Sequence, residues 1–263
     1  MKKIAFCFLI FDIINHEELW YFFFKNIDKN KYNIYIHYKI NKPLKHLDNY
    51  KLNNCTKTLW GDISLVFAQN ILLEEAFKDK DNTNFIFISN SCVPLKSFNY
   101  IYDFLKDDFS YFSITKKEQC FPRCDKSLRF IDYKYIQKAS QWCILNRTHT
   151  KLMLENIDYI HWFNYKGTVP DEHCYITKIF HSGLEKEIIN CNNLESTTFT
   201  NWPGTDYKYV SKKALKNYDK ISEEELKCLI NSKCLFGRKF KPECAPYLFN
   251  SIKSIIYNPD HFM

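Results

Sequence analysis

Three short stretches hold residues whose types and spacing could do chemistry: His37-Tyr38-Lys39, Ser89-Asn90-Ser91-Cys92 and Asp171-Glu172-His173. The first two follow apolar runs, and in an open α/β sheet ligands bind at the carboxyl ends of the strands. The third opens the run DEHCYITKIF, which reads as a helix over Asp171 to Phe180. A helix start favours negative charge, so taken alone Asp171 and Glu172 read as residues that begin that helix. A divalent cation held on a diphosphate would call for Asp-x-Asp just after a central strand. The run FIFIS (Phe85 to Ser89) ends instead in Ser-Asn-Ser-Cys, and Asp79-Lys80-Asp81, which does spell Asp-x-Asp, lies before it.

The elements that must position these residues are legible in outline. Lys3 to Phe11 reads as a buried strand, Glu17 to Lys25 as an aromatic-faced helix and Tyr32 to Tyr38 as a second strand, a βαβ unit with a right-handed crossover. Ile63 to Lys78 has apolar residues at helical spacing, with Asp62 as its N-cap. FIFIS is continuous in apolar character, as a parallel strand covered on both faces would be. Beyond residue 110 the pattern loosens: Ser140 to Leu145 reads as a strand, Thr148 to Ile157 as a helix, and Ser222 to Asn231 as a helix with a capping box through Glu225. No linker divides the chain, so a single α/β domain over 1–263 is expected, with halves at about 1–115 and 116–263.

Composition removes several function classes. With only 5 glycines among 263 residues, neither a dinucleotide fingerprint nor a P-loop is present. The formal charge is +7, but 33 of the 37 basic residues are lysines spread among acids, which describes a solvated surface better than a nucleic-acid groove. The cysteines number eleven, an odd count, and the apolar run Ile4 to Phe11 is too short for a membrane helix and lacks a cleavage site after it, so free thiols, no transmembrane segment and a cytoplasmic location are expected. Cys120 and Cys124 have no second pair at zinc spacing.

Six blocks in order carry a resemblance. Trp60-Gly61-Asp62-Ile63-Ser64, then FIFISNSCVPLKSF, resemble the "WG-x-S … LS-x-SC-x-PL-x-F" run of Core-2/I-branching glycosyltransferases. Ser140-Gln141-Trp142 resembles that family's "GSQW", with Ala139 in place of glycine, and Pro170-Asp171-Glu172-His173 resembles its "PDE/DEH" helix start. Thr200-Asn201-Trp202 resembles "T-x-x-(D)W", and Leu235 to Phe240 resembles "LFARKF". The blocks run from about residue 3 to residue 242.

The resemblance implies a GT-A-like fold with a mostly parallel central sheet, a UDP-sugar donor, a glycan or glycoconjugate acceptor, inversion at the anomeric carbon, and neither metal nor further cofactor. N-acetylglucosamine is the first choice of sugar; xylose and glucuronic acid serve other relatives. Carried over, Glu172 is the catalytic base. Arg238 and Lys239 neutralise the diphosphate, with His37 and Ser91 on the donor side. Trp202, Asp171 and Gln141 fall on the acceptor side, and Trp142 is expected in the core. Lys39 stands where the family has aspartate near the nucleoside, which leaves the base preference open. A non-catalytic carbohydrate- or nucleotide-binding member of the same fold is the second reading. Acceptor loops are expected at about Lys116 to Lys138 and Cys191 to Lys213.

Overall fold

A computed structural model describes residues 2–120 and 124–257. Its centre is a six-stranded sheet in the order β2-β1-β3-β6-β5-β7. The strands are β1 (Lys3–Ile10), β2 (Tyr32–Tyr38), β3 (Asn82–Ser89), β5 (Ser110–Phe112), β6 (Ile144–Asn146) and β7 (Ile188–Asn190). β1 pairs parallel with β2 and β3, and β5 pairs parallel with β7; only β6 runs against its neighbours. This is the mostly parallel α/β sheet that the sequence predicts.

Strand alternation explains why both faces are covered. In β1, Ala5, Cys7 and Leu9 join one apolar cluster while Ile4, Phe6, Phe8 and Ile10 join another. Helices α2 (Ser64–Phe77), α4 (Arg147–Glu155) and α5 (Cys174–His181) cover the first face. Helices α1 (Glu17–Phe24) and α3 (Phe98–Phe104) cover the second, where Trp20 meets Phe8 edge-on at 5.0 Å and Phe24 meets Phe6 at 5.0 Å. The expected βαβ unit is therefore β1, α1 and β2.

A second, three-stranded sheet, in the order β4-β9-β8, delivers the basic segment. It is built from β4 (Val93–Pro94), β8 (Thr198–Thr200) and β9 (Phe236–Arg238), and it shares an apolar cluster with α6 (Glu223–Asn231) and α7 (Ala245–Tyr257). Because β4 follows β3 almost at once, pairing of Val93 with Gly237 brings β9 against the carboxyl end of β3.

Ser222 caps α6 as expected, its Oγ accepting the Glu225 amide at 3.1 Å. The reciprocal half of the capping box is not made. The buried Glu225 carboxylate instead accepts Tyr218 Oη at 2.7 Å and Lys216 Nζ at 3.0 Å. Tyr218 then brackets the basic segment, donating its amide to the Lys239 carbonyl at 2.7 Å and accepting the Lys241 amide at 2.8 Å. Glu225→Ala strips a buried anion from a hydroxyl and an ammonium, so unfolding in urea should show a loss of about 2–4 kcal/mol. A loss below about 1 kcal/mol would mean that Glu225 does not buttress this segment.

Three sequence expectations are corrected. α2 starts at Ser64, and Asp62 accepts the Ser64 amide at 2.9 Å from the turn before it rather than as the N-cap residue. Ser140 to Cys143 is not strand, because Ser140 Oγ takes the Trp142 amide at 3.2 Å and bends the chain; β6 is only Ile144–Asn146. Pro170–Glu172 forms a separate 3-10 turn, with His173 as the N-cap residue of α5.

Candidate active site

The carboxyl ends of β1, β2 and β3 form one rim. In the register, Leu9 lies between His37 and Ser89, which puts those two residues two strand spacings, about 10 Å, apart. Ser89 Oγ accepts from Arg238 Nε at 3.3 Å and lies 3.2 Å from Ser91 Oγ. The Ser91 carbonyl accepts the Phe240 amide at 3.0 Å, so Arg238 and Lys239 are held directly over the end of β3. Beside them opens a cleft of about 250 Å³ lined by Asn15, Asn90, Ser91, Asn217, Arg238 and Lys239. Asn15 fixes one wall, donating its side-chain amide to the Phe240 carbonyl at 2.8 Å.

Arg238 lies with its guanidinium carbon 4.4 Å from the centre of the Trp142 ring. Trp142 is buried, as expected of a core residue, but it also serves as the platform for this cation. Burial lowers the Arg238 guanidinium to about 10, and Asp171 and Glu172 oppose that shift. Lys239 is lowered as well, by burial and then by the adjacent Arg238 charge. Neither cation has an ion-pair partner within 4 Å among the described residues. Two neighbouring cations held in this way could be neutralised by an anion in the cleft.

On the other side of Arg238 lies the turn Pro170–Glu172. Val169 enters it with a left-handed backbone (φ 53°), a strained state for a β-branched residue before proline. Glu172 keeps 29% of its side chain exposed, and its Oε2 is 3.1 Å from Lys138 Nζ. Lys138 is brought there because the Ala139 amide donates to the Glu172 carbonyl at 2.8 Å.

Asp171, next in the chain, lives differently. Burial and then the neighbouring Glu172 charge raise its carboxyl to about 7, against opposing effects of its own backbone, Lys138 and Arg238. Two adjacent carboxyls with unlike surroundings are the pattern from which separate roles arise. The raised value also predicts a pH dependence of stability. The folded chain keeps a proton that the unfolded chain loses above about pH 4, so stability should fall as pH rises from about 4 to 7 by up to about 4 kcal/mol. Asp171→Asn should flatten that decline when unfolding is followed across the window. An unchanged slope would show that Asp171 titrates normally.

The remaining predicted residues are placed as follows. Gln141 precedes Trp142 in the bend described above. Trp202 is half exposed and lies two residues beyond Thr200, which pairs with Arg238 in the second sheet, so its loop starts at the level of the cation site. His37 is fully buried at the end of β2, where its Nε2 accepts the Thr56 amide at 2.9 Å; burial lowers it to about 4. No bond joins it to the Arg238 cluster among the described residues. Asp79 sits at the opposite, amino end of the strands, tied to Lys3 at 2.8 Å and lowered to about 2 mainly by that bond. Cys120 and Cys124 are buried in an apolar cluster, and residues 121–123 between them lie outside the described residues. Every cysteine is a free thiol. Among the described residues, no three His, Cys, Asp or Glu side chains gather as a metal-ligand set. No described helix is long and apolar enough to cross a membrane.

Sequence reasoning missed Lys138, Asn15 and Asn217. Lys138 is one lysine among 33, and only the pairing of Ala139 with Glu172 singles it out.

Comparison with known proteins agrees with the family resemblance. The rice (Oryza sativa subsp. japonica) protein "Glycosyltransferase BC10" is 26% identical over 236 residues, which cover 76% of this chain and 57% of the rice protein. The chain thus spans a little over half the length of that relative. Among solved structures, the WbbM bifunctional glycosyltransferase aligns over 90% of this chain and 46% of its own, with 11% identity and a TM-score of 0.49. The family model described as Core-2/I-Branching enzyme matches residues 4–230, most of the length, and the chain belongs to that family.

Proposed function

We propose that the chain is an inverting glycosyltransferase that moves a sugar, N-acetylglucosamine as first choice, from a UDP-sugar to a hydroxyl of a glycan or glycoconjugate. The observation that carries the reading is the pair of partly buried cations without ion-pair partners, Arg238 and Lys239, at the carboxyl end of β3 beside Glu172. In the reaction, Glu172 takes the proton from the acceptor hydroxyl as that oxygen bonds to the anomeric carbon from the face opposite UDP. The bond from that carbon to the β-phosphate oxygen breaks, and its electron pair leaves with UDP. Arg238 and Lys239 meet the charge that grows on the diphosphate, the task a divalent cation performs elsewhere, so no metal is required.

Trp202 offers a half-exposed ring for stacking on an acceptor sugar, and Ser91 offers a hydroxyl in the cleft. His37 acts on the nucleoside side through the Thr56 segment that it holds. The test is turnover of UDP-N-acetylglucosamine by the wild-type protein and by Glu172→Gln, with released UDP and glycosylated product both measured.

A further inference from the structure

The site holds two opposite charges, Glu172 and Arg238, that the reaction needs apart. Burial lowers the Arg238 guanidinium while Cys92, Asp171 and Glu172 oppose that shift, so the two groups feel each other's charge. Opposite charges in a partly buried pocket attract far more strongly than in water. An ion pair between them would cancel the base and the diphosphate cation together. None forms. Arg238 has no ion-pair partner within 4 Å among the described residues, and its guanidinium rests instead on Ser89 Oγ at 3.3 Å and on the Trp142 ring.

Glu172 is paired elsewhere. Its Oε2 lies 3.1 Å from Lys138 Nζ, with 29% and 19% of the two side chains exposed. The backbone that delivers Lys138 is tied on two sides. The Thr115 amide and hydroxyl, beyond β5, both donate to the Lys138 carbonyl, at 2.9 and 3.1 Å. Toward α5, the Ala139 amide donates to the Glu172 carbonyl at 2.8 Å, and Thr177 Oγ1 donates to the Gln137 carbonyl at 3.1 Å. The other carboxyl beside Arg238 is Asp171, and burial, which raises it to about 7, favours its neutral form. Glu172 is therefore the anion that has to be kept off Arg238.

We propose that Lys138 is a positioning residue that holds Glu172 away from Arg238, so that the base and the diphosphate cation stay available together. The inference rests on the transferase reading and adds to it a residue that none of the motifs contains. A carboxylate accepts at both oxygens, so Lys138 takes Oε2 and leaves Oε1 for the acceptor hydroxyl. Without Lys138, Arg238 is the cation left to pair with Glu172, and UDP has to break that pair before it can bind.

The test is a double-mutant cycle read by calorimetry of UDP binding to wild type, Lys138→Met, Glu172→Gln and the double variant. If about nine in ten Lys138→Met molecules hold the new pair, UDP affinity falls about tenfold. In the Glu172→Gln background no anion is left to pair with Arg238, so adding Lys138→Met changes UDP affinity by less than about twofold. A purely structural role, or a direct contact of Lys138 with UDP, predicts the same loss in both backgrounds. Turnover should split in the matching way: in Lys138→Met the donor KM rises while kcat stays within a few-fold, because a bound diphosphate itself displaces Glu172.

Lys138→Gln keeps the test decisive if the methionine variant does not fold. Unchanged UDP affinity in Lys138→Met, an equal loss in both backgrounds, or a fall in kcat with KM unchanged overturns this inference and leaves the transferase reading standing. Failure of the wild-type protein to bind UDP overturns both.

Discussion

Glu172→Gln should lower turnover at least 100-fold while UDP binding stays within a few-fold of wild type. The amide has nearly the same shape and keeps an oxygen where the acceptor hydroxyl binds, but it cannot take that hydroxyl's proton. Loss of a positioned general base costs about 100- to 10,000-fold. An interaction made only in the transition state lowers kcat and kcat/KM together and leaves KM nearly unchanged. The substitution also frees Lys138, whose ammonium lies 3.1 Å from Glu172 Oε2, but both groups are partly exposed, so stability should change by no more than about 1 kcal/mol. Near-normal turnover would remove Glu172 from the role of base. Loss of UDP binding together with turnover would make Glu172 a structural residue of the site.

The second large effect is expected at Arg238. Its guanidinium is placed by Ser89 Oγ and the Trp142 ring, and its planar fork suits two oxygens of a diphosphate. Arg238→Lys keeps a charge but loses the fork and the stacking, so UDP affinity should fall about 10- to 100-fold. Arg238→Gln, which removes the charge as well, should abolish measurable binding. Neither variant should unfold the protein. Burial already lowers the Arg238 guanidinium to about 10, which means that its charge is unfavourable in the unliganded fold. Unchanged UDP affinity in Arg238→Gln would move the diphosphate site elsewhere.

How far the molecule is legible in its sequence follows from the length of each signal. β1 and β3 are eight-residue strands, nearly all buried, and α1 carries five aromatics in eight residues, so pattern alone finds them. The second sheet has strands of two or three residues, too short for any period to show, although its pairings are what carry Arg238 to β3. Glu172, Arg238 and Lys239 could be picked out because they stand in ordered motifs. Lys138 could not, since its partner lies 34 residues away in sequence and its neighbours have no distinctive spacing.

Gln141 and Trp142 read as strand residues in the sequence because SQWCIL has a strand's apolar character. Ser140 turns the chain there through a hydrogen bond that composition does not reveal. His37 shows the converse: a histidine at the expected strand end whose ring is occupied in holding the Thr56 backbone.

The most direct test of the central claim is a thermal-shift titration of UDP against the wild-type protein and Arg238→Gln, each with and without EDTA. A ligand that binds only the folded state at a hundredfold excess over Kd adds about 2.7 kcal/mol, a clear rise in melting temperature. A site built on Arg238 and Lys239 predicts a wild-type shift that survives EDTA and vanishes in Arg238→Gln. No shift with UDP, or a shift that EDTA removes, would contradict it.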